Sequence, residues 1–259
     1  MAFNRFLALG DSITEGLSDK APGGGYRGWA DRVADELANH HADFRYANFA
    51  VRGKLLEQII QEQLPVALTL ITAETTLLSF HAGANNILRP SVDIDKVNAL
   101  YRDTVHRISA TGAQLVLFTI REINDPATAL ERKWNERFIP FNNNIRDVAG
   151  SLNAILIDAN LSPALGDRRM LAADRLHLSS EGHRRMAAAV LSSLQLPHDE
   201  DWLEPLPPLP KVLPILESVK TVGWAGLFVI PWLIRRALGK SSGDRRVAKY
   251  PSLTPWPLK

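Results

Sequence analysis

Five short runs along the chain are almost continuously apolar: residues 5–9, 44–49, 75–80, 114–120 and 154–158. Unbroken rather than alternating apolar character is the mark of parallel strands buried on both faces. Between them the period changes from continuous to helical. Residues 29–39 place Ala30, Val33, Ala34 and Leu37 on one face, and Asn39 suits a helix end. Residues 95–110 repeat the pattern with Val97, Leu100, Tyr101, Val105 and Ile108, and Gly112 follows as a stop signal. Residues 135–149 and 181–194 read the same way. Strands alternating with helices predict an α/β protein: a three-layer α/β/α sandwich around a mostly parallel, five-stranded, doubly wound (flavodoxin-like) sheet. No internal repeat is visible.

The pattern changes after residue 203. Residues 204–210 are Pro-rich and are expected to run extended over the surface. Residues 221–234 are apolar and carry no charge, and Arg235-Arg236, Lys240 and Arg245-Arg246 follow. Fourteen residues with Pro231 inside fall short of the ~20 needed to span a bilayer. A helix packed on the rest of the chain, a self-association surface and a peripheral membrane contact all remain open. Residues 247–259 read as an extended, Pro-rich tail. The expected division is therefore a unit at 1–203 and an appendage at 204–259.

Charge supports a division of labour. Residues 207–259 hold nine Lys/Arg against Glu217 and Asp244, a balance of +7, which leaves −5 of the total +2 to residues 1–206. So small a total gives no reason to expect nucleic acid as a partner. With 46% apolar and 22% charged residues, the 259-residue chain can bury a substantial core. Cysteine is absent, so disulfides, thiolate nucleophiles and Cys-ligated metals are excluded. The first residues lack the features of a secretory signal, so a cytoplasmic location, with or without peripheral membrane contact, is the expectation.

Candidate chemistry gathers at the carboxyl ends of the strands, where ligands bind in open α/β sheets. The first strand breaks at Gly10-Asp11-Ser12, leaving a hydroxyl on a tight turn. Asp174 and His177 lie in the loop after the last strand. If that loop curls, the carboxylate holds one imidazole nitrogen and frees the other to accept the Ser12 proton. His183 is the competing base, but it falls within a helical pattern and reads better as a packing residue. Gly53, read as opening a helix after the second strand, and Gly83-Ala84-Asn85, after the third, supply a backbone N–H and a side-chain NH2 for a developing oxyanion. The Gly-rich segment 22–29 reads as a pocket border, with Tyr26 or Trp29 near substrate. Arg121, Glu122 and Asn124, past the fourth strand, are candidates for facing the pocket. No metal-ligand pattern is found: His40-His41 stand alone.

Gly10-Asp11-Ser12, Gly53, Gly83-Ala84-Asn85 and Asp174-x-x-His177 resemble, in order, the four signature blocks of the SGNH, or GDSL-type, hydrolase superfamily. The likeness covers roughly residues 5–195. It implies Ser12 as nucleophile, His177 as base and Asp174 as its orienting group. The oxyanion would be held by the Ser12 N–H, the Gly53 N–H and the Asn85 side chain. The implied reaction is hydrolysis of a small-molecule carboxylic ester through an acyl-enzyme, without cofactor or metal. Carbohydrate O-deacetylation and acyl transfer are alternatives on the same site, and a noncatalytic lipid- or partner-binding module is the rival of another class. Two positions depart from the common pattern. Asn86 stands where an aspartate is usual, which is expected to alter a supporting hydrogen bond rather than the Asn85 donor, and Ile13 replaces leucine.

Overall fold

The computed structural model describes residues 3–208 and 223–257. Leu209 and Pro210 of the Pro-rich run, Thr221 and Val222 of the apolar run, and Leu258-Lys259 of the tail lie outside the described residues. The predicted parallel strands form as β1 (Arg5–Gly10), β2 (Arg45–Asn48), β3 (Thr76–His81), β4 (Gln114–Phe118) and β5 (Ile155–Ile157). Their spatial order is β5-β4-β3-β1-β2, all parallel. The chain runs from β1 outward to β2 and then returns to β1's other side with β3. That reversal is the topological switch point at which ligands bind, and Ser12 directly follows β1.

Successive residues of each strand feed opposite cores. Leu7, Leu9, Leu78, Phe80, Leu115 and Leu117 pack with the helices of one face. Phe6, Ala8, Leu77, Val116 and Phe118 pack on the other against Trp29, Val33 and Leu37. This double burial explains why the strands read as continuous apolar runs. The helices that matter for the site are α1 (Ser12–Glu15), α2 (Trp29–Asn39), α3 (Leu56–Glu62), α4 (Leu64–Leu70), α5 (Ala84–Ile87), α6 (Ile94–Ser109), α7 (Ala129–Ser151), α8 (Pro163–Gly166) and α9 (Ser180–Ser193). Helix α7 starts earlier than its periodicity predicts. The Thr128 hydroxyl accepts from the Glu131 amide and the Glu131 carboxylate accepts from the Thr128 amide, a capping box that begins the helix before its apolar stripe.

The sheet has six strands rather than five. Residues 250–255, expected within a trailing tail, form β6 (Tyr250–Pro255), antiparallel to β2 at the sheet edge. An edge strand tolerates Pro251 and Pro255 because half of its N–H groups need no partner. Tyr46 of β2 is 5.6 Å from the ring of Tyr250 and 5.0 Å from that of Trp256, and Trp256 Nε1 donates to Asp35 of α2 at 2.8 Å. Lys249 ion-pairs with Asp31, whose buried carboxylate also accepts from the Gly28 amide at 2.7 Å and the Tyr46 hydroxyl at 3.1 Å. The last described residues are thus part of the sheet.

The described part of the Pro-rich run is extended, as expected, and is fastened to the domain. Arg185, buried in α9, donates to the carbonyls of Trp202 and Glu204, and Arg169 donates to that of Pro207. Part of the apolar run is exposed. After a wider π-helical turn at Ala225–Val229 comes α10 (Ile230–Ala237), and Leu227, Ile230 and Ile234 each leave more than half of their surface exposed. No helix among the described residues is long and apolar enough to cross a membrane.

Candidate active site

The β1–α1 turn is built around Gly10. It sits at φ +154, and a side chain there would meet the His81 carbonyl at 2.5 Å. Only glycine fits where β1 and β3 end side by side. Gln63 clamps the same residue, donating to the Gly10 carbonyl at 2.9 Å and accepting from its amide at 3.0 Å. Strand and clamp hold Ser12 at the first turn of α1, buried apart from a small exposed edge.

Opposite Ser12, the 171–178 loop closes on itself through a Leu171–Leu178 bridge. Asp174 is its centre. One carboxylate oxygen accepts from the Leu176 and His177 amides at 3.0 Å each, and the other lies 2.6 Å from His177 Nδ1. Burial pushes the Asp174 pKa up, but the His177 hydrogen bond and charge, with the two amides, outweigh it and leave the pKa lowered. A carboxylate on Nδ1 leaves Nε2 as the accepting nitrogen. No hydrogen bond joins Ser12 to His177 among the described residues; such contacts commonly tighten only when substrate is bound.

Ser12, His177 and Asn85 line one cavity of about 190 Å3. The rest of its wall is largely apolar, with Leu88, Ile120, Trp134, Phe138 and Met186 among its side chains. Asp11 lines it too. Burial raises the Asp11 pKa to about 6, with nearby amides, His177 and Asn85 pulling the other way. The Asn85 amide donates to Asp11 at 2.9 Å and to the Lys54 carbonyl at 3.1 Å. Both of its protons are engaged, so it could serve an oxyanion only by sharing or releasing one.

The other sequence candidates divide. Gly53 is not among the residues lining this cavity. It occupies a left-handed turn (φ +75) beside Ser241, and α3 begins only at Leu56, so Gly53 does not open a helix as the sequence suggested. His183 is fully buried. Its Nδ1 accepts from the Trp29 amide and its Nε2 donates to the Leu17 carbonyl, both at 3.2 Å, so it packs rather than reacts. Trp29 lies in the core and Tyr26 sits under the Arg52 guanidinium, so neither borders the cavity. Arg121 lines it, whereas Glu122 pairs with Arg146 and accepts from Asn142.

Asn86 has a physical reason. Its carbonyl oxygen accepts from the Leu56 amide and its NH2 donates to Glu57, both at 2.8 Å. An aspartate would set two carboxylates against each other.

The GDSL-like lipase/acylhydrolase pattern matches residues 8–185, from β1 to within α9. The chain belongs to the GDSL-like lipase/acylhydrolase family. It is therefore an ester-hydrolysing enzyme. No curated protein matches its sequence. Among solved structures the hydrolase is similar to an acetylxylan esterase from Geobacillus stearothermophilus, at 19% identity and a TM-score of 0.60 over 78% of this chain and 96% of that one. It is also similar to an α/β hydrolase enzyme from the metagenome of Lake Arreo, Spain, at 19% identity and a TM-score of 0.61, covering 75% and 97%. At such identities the likeness is one of fold.

Two contributors to the hydrolase's site were not singled out in the sequence. Gln63 acts on the Gly10 backbone, and nothing in a lone glutamine announces that. His81 ends β3, lines the cavity, and has a buried Nδ1 without a partner; burial lowers its pKa to about 4. Its place beside Gly83-Ala84-Asn85 was the available signal.

Proposed function

We propose that this hydrolase cleaves carboxylic esters carrying an apolar acyl group of several carbons, through a Ser12-His177-Asp174 triad and an acyl-enzyme. The observation that carries the reading is the apolar cavity walled by Ser12, His177 and Asn85. An apolar cavity of ~150 Å3 already accommodates a benzene-sized molecule, so this one offers room well beyond an acetyl group.

Ser12 Oγ attacks the ester carbonyl as His177 Nε2 takes its proton. The Asp174 carboxylate holds the Nδ1 proton and stabilises the imidazolium. The Ser12 amide and the Asn85 NH2 receive the oxyanion, which takes over the Asn85 proton now directed at Asp11, while the Lys54 carbonyl keeps the amide oriented. Gly53 enters this reading through the turn that carries Lys54. His177 then returns its proton to the leaving alkoxide. In the second half, water gives a proton to His177 and its oxygen to the acyl carbon; as the acyl–Oγ bond breaks, His177 returns that proton to Ser12 Oγ and the acid leaves.

A fluorophosphonate probe that labels wild type but not Ser12→Ala supports the nucleophile; equal labelling overturns it. A series of p-nitrophenyl esters tests the acyl pocket. The expected kcat/KM rises from acetate to butyrate and hexanoate. A maximum at acetate would instead favour the O-deacetylation that the name of the acetylxylan esterase describes.

A further inference from the structure

Beyond residue 185, outside the stretch matched by the family, the chain builds something on the site's rim. Trp224 Nε1 donates to the Asp174 carbonyl at 3.0 Å, and the Arg175 guanidinium lies 4.6 Å over the Trp224 ring. Both partners belong to the loop that carries His177, and Arg175 itself lines the cavity. From that anchor the helical segment runs through α10 to Ser241, which packs against Gly53. The segment is therefore fastened at both ends to loops on the carboxyl rim of the sheet.

Between those anchors its outer face is apolar. Leu227, Ile230, Ile234 and Leu238 follow one another three or four residues apart and are 73%, 52%, 55% and 63% exposed. Such a continuous stripe in water marks a surface made for contact. Within and just after it, exposed Arg235, Lys240, Arg245 and Arg246 stand against the single acid Asp244.

We infer that this face docks on an anionic lipid surface and sets the cavity mouth against it. Charge decides between occupants. A second copy placed symmetrically on the stripe would bring its own cations toward these, a repulsion that one aspartate per copy does not offset. An anionic bilayer meets both features: apolar side chains enter the headgroup boundary while the cations face lipid phosphates. Trp224, beside the loop, has the amphipathic ring typical of that boundary. The docked enzyme would take esters whose apolar acyl chains partition into the lipid; this second half rests on the proposed function, the docking itself does not.

The test uses the full chain and sedimentation with vesicles of phosphatidylglycerol and phosphatidylcholine, or of phosphatidylcholine alone. Wild type is expected to bind the anionic vesicles at least about tenfold more strongly and to be released by high salt. Leu227→Glu/Ile230→Glu/Ile234→Glu alters only exposed positions and is expected to lose at least about tenfold in vesicle binding. Its turnover of a vesicle-borne ester falls in step, while hydrolysis of a water-soluble short ester stays within about twofold. Equal binding of the two proteins, or no binding by wild type, overturns the inference. So does a concentration-dependent dimer that the triple variant abolishes without any vesicle binding, which would assign the face to a second copy. Vesicle binding that depends on the stripe, in a protein without esterase activity, would uphold the docking and sink the proposed triad instead.

Discussion

Replacing Asp174 by asparagine separates chemistry from architecture at the candidate triad. The carboxylate makes three contacts: with the Leu176 and His177 amides through one oxygen and with His177 Nδ1 through the other. Asparagine keeps the shape, and its single carbonyl oxygen can keep both amide bonds, so the loop should hold. Its NH2 then faces Nδ1 and can only donate. His177 must answer as an acceptor at Nδ1, which moves its proton to Nε2, the nitrogen required to accept from Ser12. A wrong tautomer of this kind costs about 10⁴ in kcat, equivalent to about 5.4 kcal/mol at 1.36 kcal/mol per decade. KM should change by less than about threefold, because the apolar cavity that binds the acyl chain is untouched. Asp174→Ala removes both acceptor oxygens, and with them all three contacts, and adds a structural cost of about 2 kcal/mol from two orphaned amides. The measurements are kcat and KM on p-nitrophenyl hexanoate, with urea unfolding of both variants. An asparagine variant that folds normally and keeps more than about a hundredth of wild-type kcat would refute the orienting role.

Three further perturbations probe the frame around the site. Lys249→Met leaves the buried Asp31 carboxylate with only the Gly28 amide and the Tyr46 hydroxyl, and is expected to lower stability by about 3 kcal/mol in urea; a loss under about 0.5 kcal/mol would mean that the C-terminal strand is not held as described. His183→Gln tests pH dependence. Burial pulls the folded His183 pKa down to about 4 from 6.5, so the unfolded chain binds the extra proton and stability is lost as pH falls from 6.5 towards 4. Wild type should lose up to about 3 kcal/mol relative to the variant over that range. His81 acts in the same direction, and because His183 is one cause of its lowering, part of its contribution goes with the variant too; Asp11, raised to about 6, acts in the opposite direction, loosening the fold as pH rises from about 4 to 6, and cancels in the comparison. Finally, Asn86→Asp sets a carboxylate against Glu57 and is expected to cost about 1–2 kcal/mol. Adding Glu57→Gln should restore most of it in a double-mutant cycle.

Much of this frame is legible in the chain because local patterns carry it. The parallel strands appear as apolar runs since β1, β3 and β4 are buried on both faces and β2 and β5 largely so, and α2 spans Trp29–Asn39, the residues its periodicity predicts. Asp174 and His177 are three residues apart, so a tight loop alone can join them, and it does. The misreadings arise where meaning depends on distant partners. Gly53 resembles a helix opener in sequence, but its left-handed turn delays α3 to Leu56. Tyr26 and Trp29 are aromatic residues near a glycine run; one ends beneath Arg52 and the other in the core.

By itself the sequence determined the layers, the rim on which chemistry gathers and the family's blocks, because strand burial, helix period and turn-forming glycines are local properties of the chain. Tertiary structure alone decided the rest. It made the Pro-rich end a sixth strand, since an edge position beside Tyr46 excuses the missing N–H groups. It placed Gln63 on Gly10 across 53 residues and Trp224 on Asp174 across 50. It also left Leu227, Ile230 and Ile234 of the apolar run exposed. Which residues touch across such separations is a property of packing, and no local pattern encodes it.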